Sequence, residues 1–192
     1  MTQTMRTFVA VETSPAIRQR AAELIEKLRA VPADVRWVQP HNLHLTLKFL
    51  GDVKVDEIPR VCQSVQRAAA EASPFQFEMR GAGAFPRAER PRTIWLGAGQ
   101  GEEEMAELSR RIESALQKLG FPREGRRFQA HLTIGRVRRA GPELAELGRM
   151  LRGLEDVDVG QMTVEEVVVF CSHLAPSGPT YEPLGRGPLA GK

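Results

Sequence analysis

Apolar and polar residues alternate along several short stretches of this chain, and longer stretches between them repeat their apolar residues at helical spacing. The clearest alternation lies in LHLTLKF, residues 43–49, which puts leucine and phenylalanine on one face and His44, Thr46 and Lys48 on the other. The pattern returns in the second half of the chain as HLTI, residues 131–134, again with His and Thr on one face. Both stretches predict β-strands that bury one face and present an imidazole and a hydroxyl on the other.

The same patterning predicts the other elements. Ser14 as N-cap and Pro15 at the first helical position begin a helix whose apolar stripe runs to Leu28. Further helices are predicted over residues 56–72, 102–119 and 142–151. Strands are predicted at residues 7–11, 35–38, 75–79 and 93–96, over 157–170 as one or two strands, and at 180–184. Gly51-Asp52 is predicted to end the first His strand, and residues 81–92 are predicted to form a Gly- and Arg-rich loop.

Strand, helix and His strand therefore occur twice in similar order. This order predicts an α+β fold of two similar lobes, whose antiparallel or mixed sheets face a central cleft with the helices outside. Residues 1–192 are predicted to form a single bilobal domain, in which one lobe supplies the motif at 44–47 and the other the motif at 131–134. The two polar faces would then line one cleft.

The distribution of charge along the chain limits which kinds of ligand it is expected to bind. Net charge is only +3, but residues 121–140 carry six arginines and one glutamate, so the rest of the chain has a small net negative charge. This clustering favours a polyanionic ligand near the second motif, although a solvated basic loop is the alternative. The sequence has no signal-peptide region and no apolar run of membrane-spanning length, so we expect a soluble, cytoplasmic protein.

Two histidines that converge on one site can divide proton transfer between them. A neutral imidazole acts as base and a protonated one as acid, and each Thr hydroxyl can donate a hydrogen bond to an oxyanion. The arrangement suits in-line displacement at phosphorus, because nucleophile and leaving oxygen occupy opposite positions and the non-bridging oxygens need stabilisation. The motifs have no metal-ligand spacing, so we expect neither a metal nor a cofactor. Cys62 and Cys171 are interpreted as reduced thiols rather than ligands or a disulfide.

These motifs carry a family resemblance. HLTLKFLG and HLTIGR resemble the paired H-x-[TS]-x motifs of the 2H phosphoesterase superfamily, and more closely those of the bacterial RNA 2′,3′-cyclic phosphodiesterases, also called 2′-5′ RNA ligases. The resemblance covers nearly the whole chain, in the segments RTFVAVE, RWVQPHNLHLTLKFLGDV, GAFPRAERPRTIWLG, RRFQAHLTIGRV and SHLAPSGPTYEPL.

The resemblance implies roles for five residues. His44 would donate a proton to the leaving ribose oxygen, and His131 would accept one from water. Thr46, Thr133 and Arg136 would bind the phosphate. The implied reaction opens a 2′,3′-cyclic phosphate at an RNA 3′ end to a 2′-phosphate, and its reverse would join a 5′-hydroxyl in a 2′-5′ linkage. The expected partners are such RNA ends, with tRNA fragments as one candidate, and the expected state is a monomer.

Two features of the second motif do not fit the family pattern or the predicted strand alternation. The chain has Ala130 where the family usually has Pro before the second His, which is expected to loosen the start of the strand without removing chemistry. Strict alternation also places Arg136 on the Leu132 face, unless Gly135 allows a bulge.

Other residues have competing interpretations. Lys48 shares the predicted face of His44 and either meets phosphate or is solvated. Phe8 and Trp37 are candidates for base stacking, with core packing as the simpler alternative. The loop arginines contact RNA or lie on the surface; they are Arg87, Arg90 and Arg92.

Two other functions remain open. One is a phosphodiesterase that acts on a small cyclic nucleotide or on ADP-ribose cyclic phosphate. The other is a non-catalytic nucleotide- or RNA-binding module that keeps the cleft only to hold a phosphate. An incubation with RNA that ends in a 2′,3′-cyclic phosphate distinguishes the three.

Overall fold

The computed structural model describes residues 3–176 and 178–191. Over these ranges the chain forms nine strands: β1 (Thr4–Glu12), β2 (Val35–Trp37), β3 (His44–Lys54), β4 (Phe75–Phe85), β5 (Thr93–Ala98), β6 (Leu132–Val137), β7 (Asp158–Val164), β8 (Glu166–Ala175) and β9 (Gly178–Pro188). Four α-helices accompany them in the same ranges: α1 (Pro15–Arg29), α2 (Ile58–Ala70), α3 (Glu102–Gln117) and α4 (Leu144–Arg152). The predicted α+β class is confirmed.

The helices follow the local signals of the sequence. The Ser14 side chain accepts a hydrogen bond from the Ile17 N–H, and Pro15 occupies the first turn of α1, as predicted. The predicted apolar stripe of α1 is buried. Helix α3 begins at Glu102, where three glutamates stand at the positive end of the helix dipole. Helix α1 therefore packs the side that its periodicity indicates.

The strands form one sheet in the order β7-β4-β5-β6-β3-β1-β8-β9, with β2 paired to β6. Every described pairing between these strands is antiparallel, so no mixed sheet occurs among them. The two halves of the sheet join where β3 meets β6, through the pair Leu45 and Leu132. Both leucines lie in the main hydrophobic core. One pair at the middle of the sheet thus brings the two motifs together.

Several predicted strand boundaries are wrong because the strands continue past the predicted ends, in β3, β4 and β9 through an irregularity. β3 does not end at Gly51 but runs to Lys54, since Gly51 adopts a positive φ of 73° at a register shift opposite Thr7 and Phe8. β4 extends through the predicted loop as far as Phe85, past a register shift after Met79. The short strand expected at 180–184 is the long strand β9. The stretch 157–170 forms two strands, one of the two options predicted.

Candidate active site

Four motif side chains gather on one face of the β3–β6 junction. Since Leu45 pairs with Leu132 in an antiparallel register, His44 stands opposite Thr133 and Thr46 opposite His131. The leucines point into the core, so these four neighbours point to the other face. All four line a cleft of about 1030 Å³. The two histidines occupy diagonal corners of this array, where residues on a sheet lie roughly 7–8 Å apart.

Each imidazole is oriented by the main chain two residues before it. His44 Nδ1 lies 2.7 Å from the Asn42 carbonyl oxygen, and His131 Nδ1 lies 2.8 Å from the Gln129 carbonyl oxygen. A carbonyl only accepts, so Nδ1–H donates in both rings and the proton-free nitrogen of the neutral ring is Nε2. The two histidines therefore have the same tautomer and the same local support.

Both imidazoles favour the neutral form. Burial first, and then the Arg136 cation, lower the pKa of His44 to about 4, against the hydrogen bond to Asn42. The pKa of His131 is lowered as well, first by burial and then by Arg136, against the bond to Gln129. Near neutral pH the cleft therefore presents two neutral rings. A bound anion would oppose the effect of Arg136 and raise both pKa values.

Burial of His44 should make stability depend on pH. Below pH 6.5 the unfolded chain binds a proton at this residue, while folded His44 stays neutral down to about pH 4. Stability therefore falls as pH drops through this window, by at most about 3 kcal/mol from this group. Urea unfolding at pH 7 and pH 4.5 measures the loss, which should be smaller in His44→Gln. Equal losses in the two proteins would contradict the buried neutral ring.

Arg136 lies on the same face of β6 as Thr133, because β6 contains a bulge between them. Thr133 pairs with Trp95 and Arg136 with Thr93, with a register shift between them. Because Trp95 and Thr93 share a face of β5, Thr133 and Arg136 share a face of β6. Arg136 Nη1 also donates to Thr93 Oγ1 at 3.4 Å. Strict alternation would place Arg136 on the Leu132 face, which is wrong. The predicted exception, a bulge near Gly135 that moves Arg136 to the other face, is confirmed.

Gly135 has a second role beside this bulge. A Cβ atom there would stand 2.9 Å from the Trp37 ring, so β2 can approach β6 closely only because the residue is glycine. Trp37 is half-buried against the core, which supports core packing rather than base stacking.

The predicted placement of Lys48 is wrong. A register shift between Val9 and Ala10 of β1 inserts an extra residue in β3, so Thr46 pairs with Ala10 but Lys48 pairs with Val9. Lys48 therefore turns to the core side; it still borders the cleft, but its side chain is only 2% exposed.

The same shift carries Phe49 to the cleft. Its side chain is 59% exposed and lines the cleft, although alternation assigned it to the buried face. Phe8, one of the two predicted stacking residues, is 3% exposed and belongs to a small aromatic core instead. Phe49 is therefore the exposed aromatic ring that the pattern missed.

Aromatic rings flank both imidazoles. Tyr181 stands perpendicular to His44 with ring centroids 5.0 Å apart, and Phe85 stands perpendicular to His131 at 5.1 Å. Phe8 lies 4.8 Å from His44. These neighbours explain the burial of the two rings. No local signal in the sequence points to Tyr181 or Phe85, because only the folded sheet brings them to the motifs.

Asn42 links His44 to the β8–β9 hairpin. The side-chain amide of Asn42 donates to the Pro179 carbonyl oxygen at 2.8 Å, while the main-chain carbonyl oxygen of Asn42 accepts from His44 Nδ1. The side chain of Asn42 is a buried polar group whose bond fixes the hairpin against the turn before β3. The hairpin that carries Tyr181 is thus held beside the imidazole.

Other candidates lie away from this cleft. Among the described residues, the cleft lining does not include Arg87, Arg90 or Arg92. His173 bonds to Glu182 on the neighbouring strand, and His41 is exposed on a short 3-10 helix. Both cysteines are free thiols, as expected.

Neither a cluster of metal-ligating side chains nor a membrane-spanning helix occurs among the described residues. Within residues 3–176 and 178–191, no three His, Cys, Asp or Glu side chains come together as a metal site would require. In the same ranges no helix combines the length and apolar character needed to cross a membrane.

The sequence matches a known protein family over both halves of the chain. The family described as LigT like Phosphoesterase matches residues 11–95 and again residues 96–181. The chain therefore belongs to the LigT-like phosphoesterases, a group of 2H phosphoesterases.

Individual relatives and solved structures are similar to this chain over nearly its whole length. The RNA 2′,3′-cyclic phosphodiesterase of Archaeoglobus fulgidus is 37% identical over 180 residues, which cover 94% of this chain and 98% of the relative. The enzyme of the same name from Methanothermobacter thermautotrophicus is 36% identical over 178 residues, covering 92% and 95%. The crystal structure of Escherichia coli LigT with 3′-AMP superposes with a TM-score of 0.77 at 25% identity, over 97% of this chain and 99% of that one. A protein from Thermus thermophilus gives a TM-score of 0.83 at 29% identity, over 98% and 100%.

Proposed function

We propose that this protein is an RNA 2′,3′-cyclic phosphodiesterase, a hydrolase that opens a terminal cyclic phosphate to a 2′-phosphate. The observation that carries the proposal is the Leu45–Leu132 pair, which sets two His-x-Thr motifs side by side on one face of the sheet, where all four side chains line one cleft. Membership of the LigT-like family and relatives named for this activity support the substrate class.

The reaction uses the two rings in turn. Nε2 of neutral His131 takes a proton from water as its oxygen attacks phosphorus, and protonated His44 gives its proton to the departing 3′ oxygen. One P–O bond forms and the bond to the 3′ oxygen breaks, so His131 ends protonated and His44 neutral. A proton exchange with solvent restores the starting state.

The two histidines differ in a way that suits these roles. Burial lowers the pKa of His44 to about 4, which makes its protonated form the stronger acid. The family resemblance assigns the same direction. The negative charge of the cyclic phosphate favours protonation of the nearby ring, so substrate binding supplies the acid form.

Thr46, Thr133 and Arg136 complete the proposed site. The hydroxyls donate hydrogen bonds to the non-bridging oxygens, whose charge grows at the transition state, and the guanidinium supplies positive charge beside them. The same groups allow the reverse reaction, in which the 5′-hydroxyl of a second RNA replaces water and a 2′-5′ linkage forms.

One incubation tests this function. Purified protein is mixed with an RNA that ends in a 2′,3′-cyclic phosphate, in EDTA, and the product is identified as 2′- or 3′-phosphate. We expect a 2′-phosphate with rates unaffected by the chelator. Turnover of small cyclic nucleotides without turnover of the RNA would favour the small-molecule alternative. Binding without any product would favour the binding module.

Arg136→Gln should weaken substrate binding and shift the pH profile. Loss of a charge-assisted contact to phosphate should raise KM about 10-fold or more. Loss of the cation should also raise the pKa of both histidines, because Arg136 lowers both. The acid limb of kcat/KM should therefore move to higher pH. Arg138→Gln, at an exposed arginine outside the cleft lining, is the control; an unmoved limb in Arg136→Gln would contradict the assignment.

A further inference from the structure

Lys48 is a buried cation with one partner on helix α3 and another in the loop before the second motif. Its Nζ donates to the Pro122 carbonyl oxygen at 2.8 Å and lies 3.2 Å from Glu113 Oε1 on α3. A buried ammonium is costly unless it is paired and hydrogen-bonded, and both conditions are met here. The bulge that turned Lys48 inward thus attaches β3 to this loop.

Glu113 attaches the loop at a second point. The same carboxylate oxygen accepts a hydrogen bond from the Glu124 main-chain N–H at 2.7 Å. Although burial acts to raise it, the pKa of Glu113 is held below its ordinary value by this bond and by Lys48. Pro122 and Glu124 are therefore both fixed, one residue on each side of Arg123.

The fixed loop extends the cleft beyond His131. We call residues 122–129 the arginine loop; its Arg126 and Arg127 line the cleft. Arg6 from β1 and Arg110 from α3 line the cleft as well. Among the described residues, Arg110 alone of these four forms a salt bridge. Two carboxylates also line this part of the cleft: Glu113 is matched by Lys48, and Glu124 offsets only one of the arginines, so a net positive charge remains.

The cleft is at least as large as the pockets that hold one small ligand. Its volume of about 1030 Å³ reaches the top of the range for drug-sized ligands, roughly 300–1,000 Å³. The four motif residues occupy the β3–β6 junction, and the arginine loop continues from it on the His131 side. The space and the charge together suit a ligand with more than one phosphate.

We infer that the arginine loop binds phosphodiester groups of the RNA chain away from the cyclic phosphate, and that the Lys48–Glu113 pair holds it in the binding position. The inference rests on the proposed function and adds a source of preference for RNA over a mononucleotide. Phosphate contacts of this kind fix position without reading sequence.

Two matched substrates test the inference. One is a ten-nucleotide RNA that ends in a 2′,3′-cyclic phosphate, and the other is the nucleoside 2′,3′-cyclic monophosphate of the same 3′ residue. The measured quantity is the ratio of their kcat/KM values. In Arg126→Ala/Arg127→Ala this ratio should fall about 10-fold or more, and the salt dependence for RNA should weaken by about one contact per arginine. Arg60→Ala/Arg67→Ala removes two exposed arginines of α2, outside the cleft lining, and should leave the ratio unchanged.

Lys48→Met tests the anchor. It keeps the aliphatic stem and removes the ammonium, so the ratio should fall in the same direction while circular dichroism confirms that the protein remains folded. If Lys48→Met does not fold, the double arginine variant, whose side chains are exposed, decides the question. An unchanged ratio in that variant would overturn the inference, as would a loss no larger than that of the control. Inactivity of the unmodified protein on both substrates would instead contradict the proposed function.

Discussion

Replacement of His44 or His131 by alanine should lower kcat about 10²–10⁴-fold or more, because each removes one of the two groups that move protons. The protein should remain folded, since each ring lines the cleft rather than the main core. Turnover of the cyclic-phosphate RNA and thermal unfolding are the measurements. His41→Ala, an exposed histidine three residues before His44, is the matched control and should turn over normally.

The double variant sharpens this prediction. If both imidazoles serve one displacement, removal of the second should cost much less than removal of the first, since residues that act as a unit are not additive. Single variants with near-normal turnover would refute the two-histidine mechanism. Fully multiplicative losses in the double variant would contradict joint action on one step.

Thr46→Val or Thr133→Val should lower kcat about 10²-fold each, because loss of one donor to a developing oxyanion costs about 10²–10³-fold. Valine keeps the shape and removes the hydroxyl, so packing at the β3–β6 junction should change little. The loss should fall on kcat more than on KM, since the bond strengthens as charge grows on the phosphoryl oxygens. Thr163→Val, on the exposed face of edge strand β7, is the control. Activity of the cleft variants within a few-fold of the unmodified protein would contradict these roles.

Much of the fold could be predicted because its signals are local. The N-cap at Ser14, the buried stripe of α1 and the acidic first turn of α3 each depend on residues within one or two helical turns. The alternation in the two motif strands likewise fixes which side chains share a face. Their placement in one cleft followed from the repetition of that pattern, and all four motif side chains line the same cleft.

Residues past an irregularity could not be assigned in this way. Alternation holds only until an extra residue enters the strand, and the shifts in β3 and β6 reverse the faces of Lys48, Phe49 and Arg136. The residues that contact the two imidazoles could not be predicted from the sequence either. Tyr181 comes from a hairpin that is attached to Asn42 through Pro179, 137 residues further along the chain, so tertiary structure alone brings it to His44.

A phosphate site shared by His44 and His131 is tested most directly by an NMR titration of the four histidine rings with a nucleoside 2′-phosphate, the product of the proposed reaction. The pKa values of His44 and His131 should rise together and saturate at the same ligand concentration, because one phosphate lies between them. His41 and His173, which lie outside the cleft lining, should not respond. A response from only one of the two motif rings, or saturation at different concentrations, would contradict a shared phosphate site.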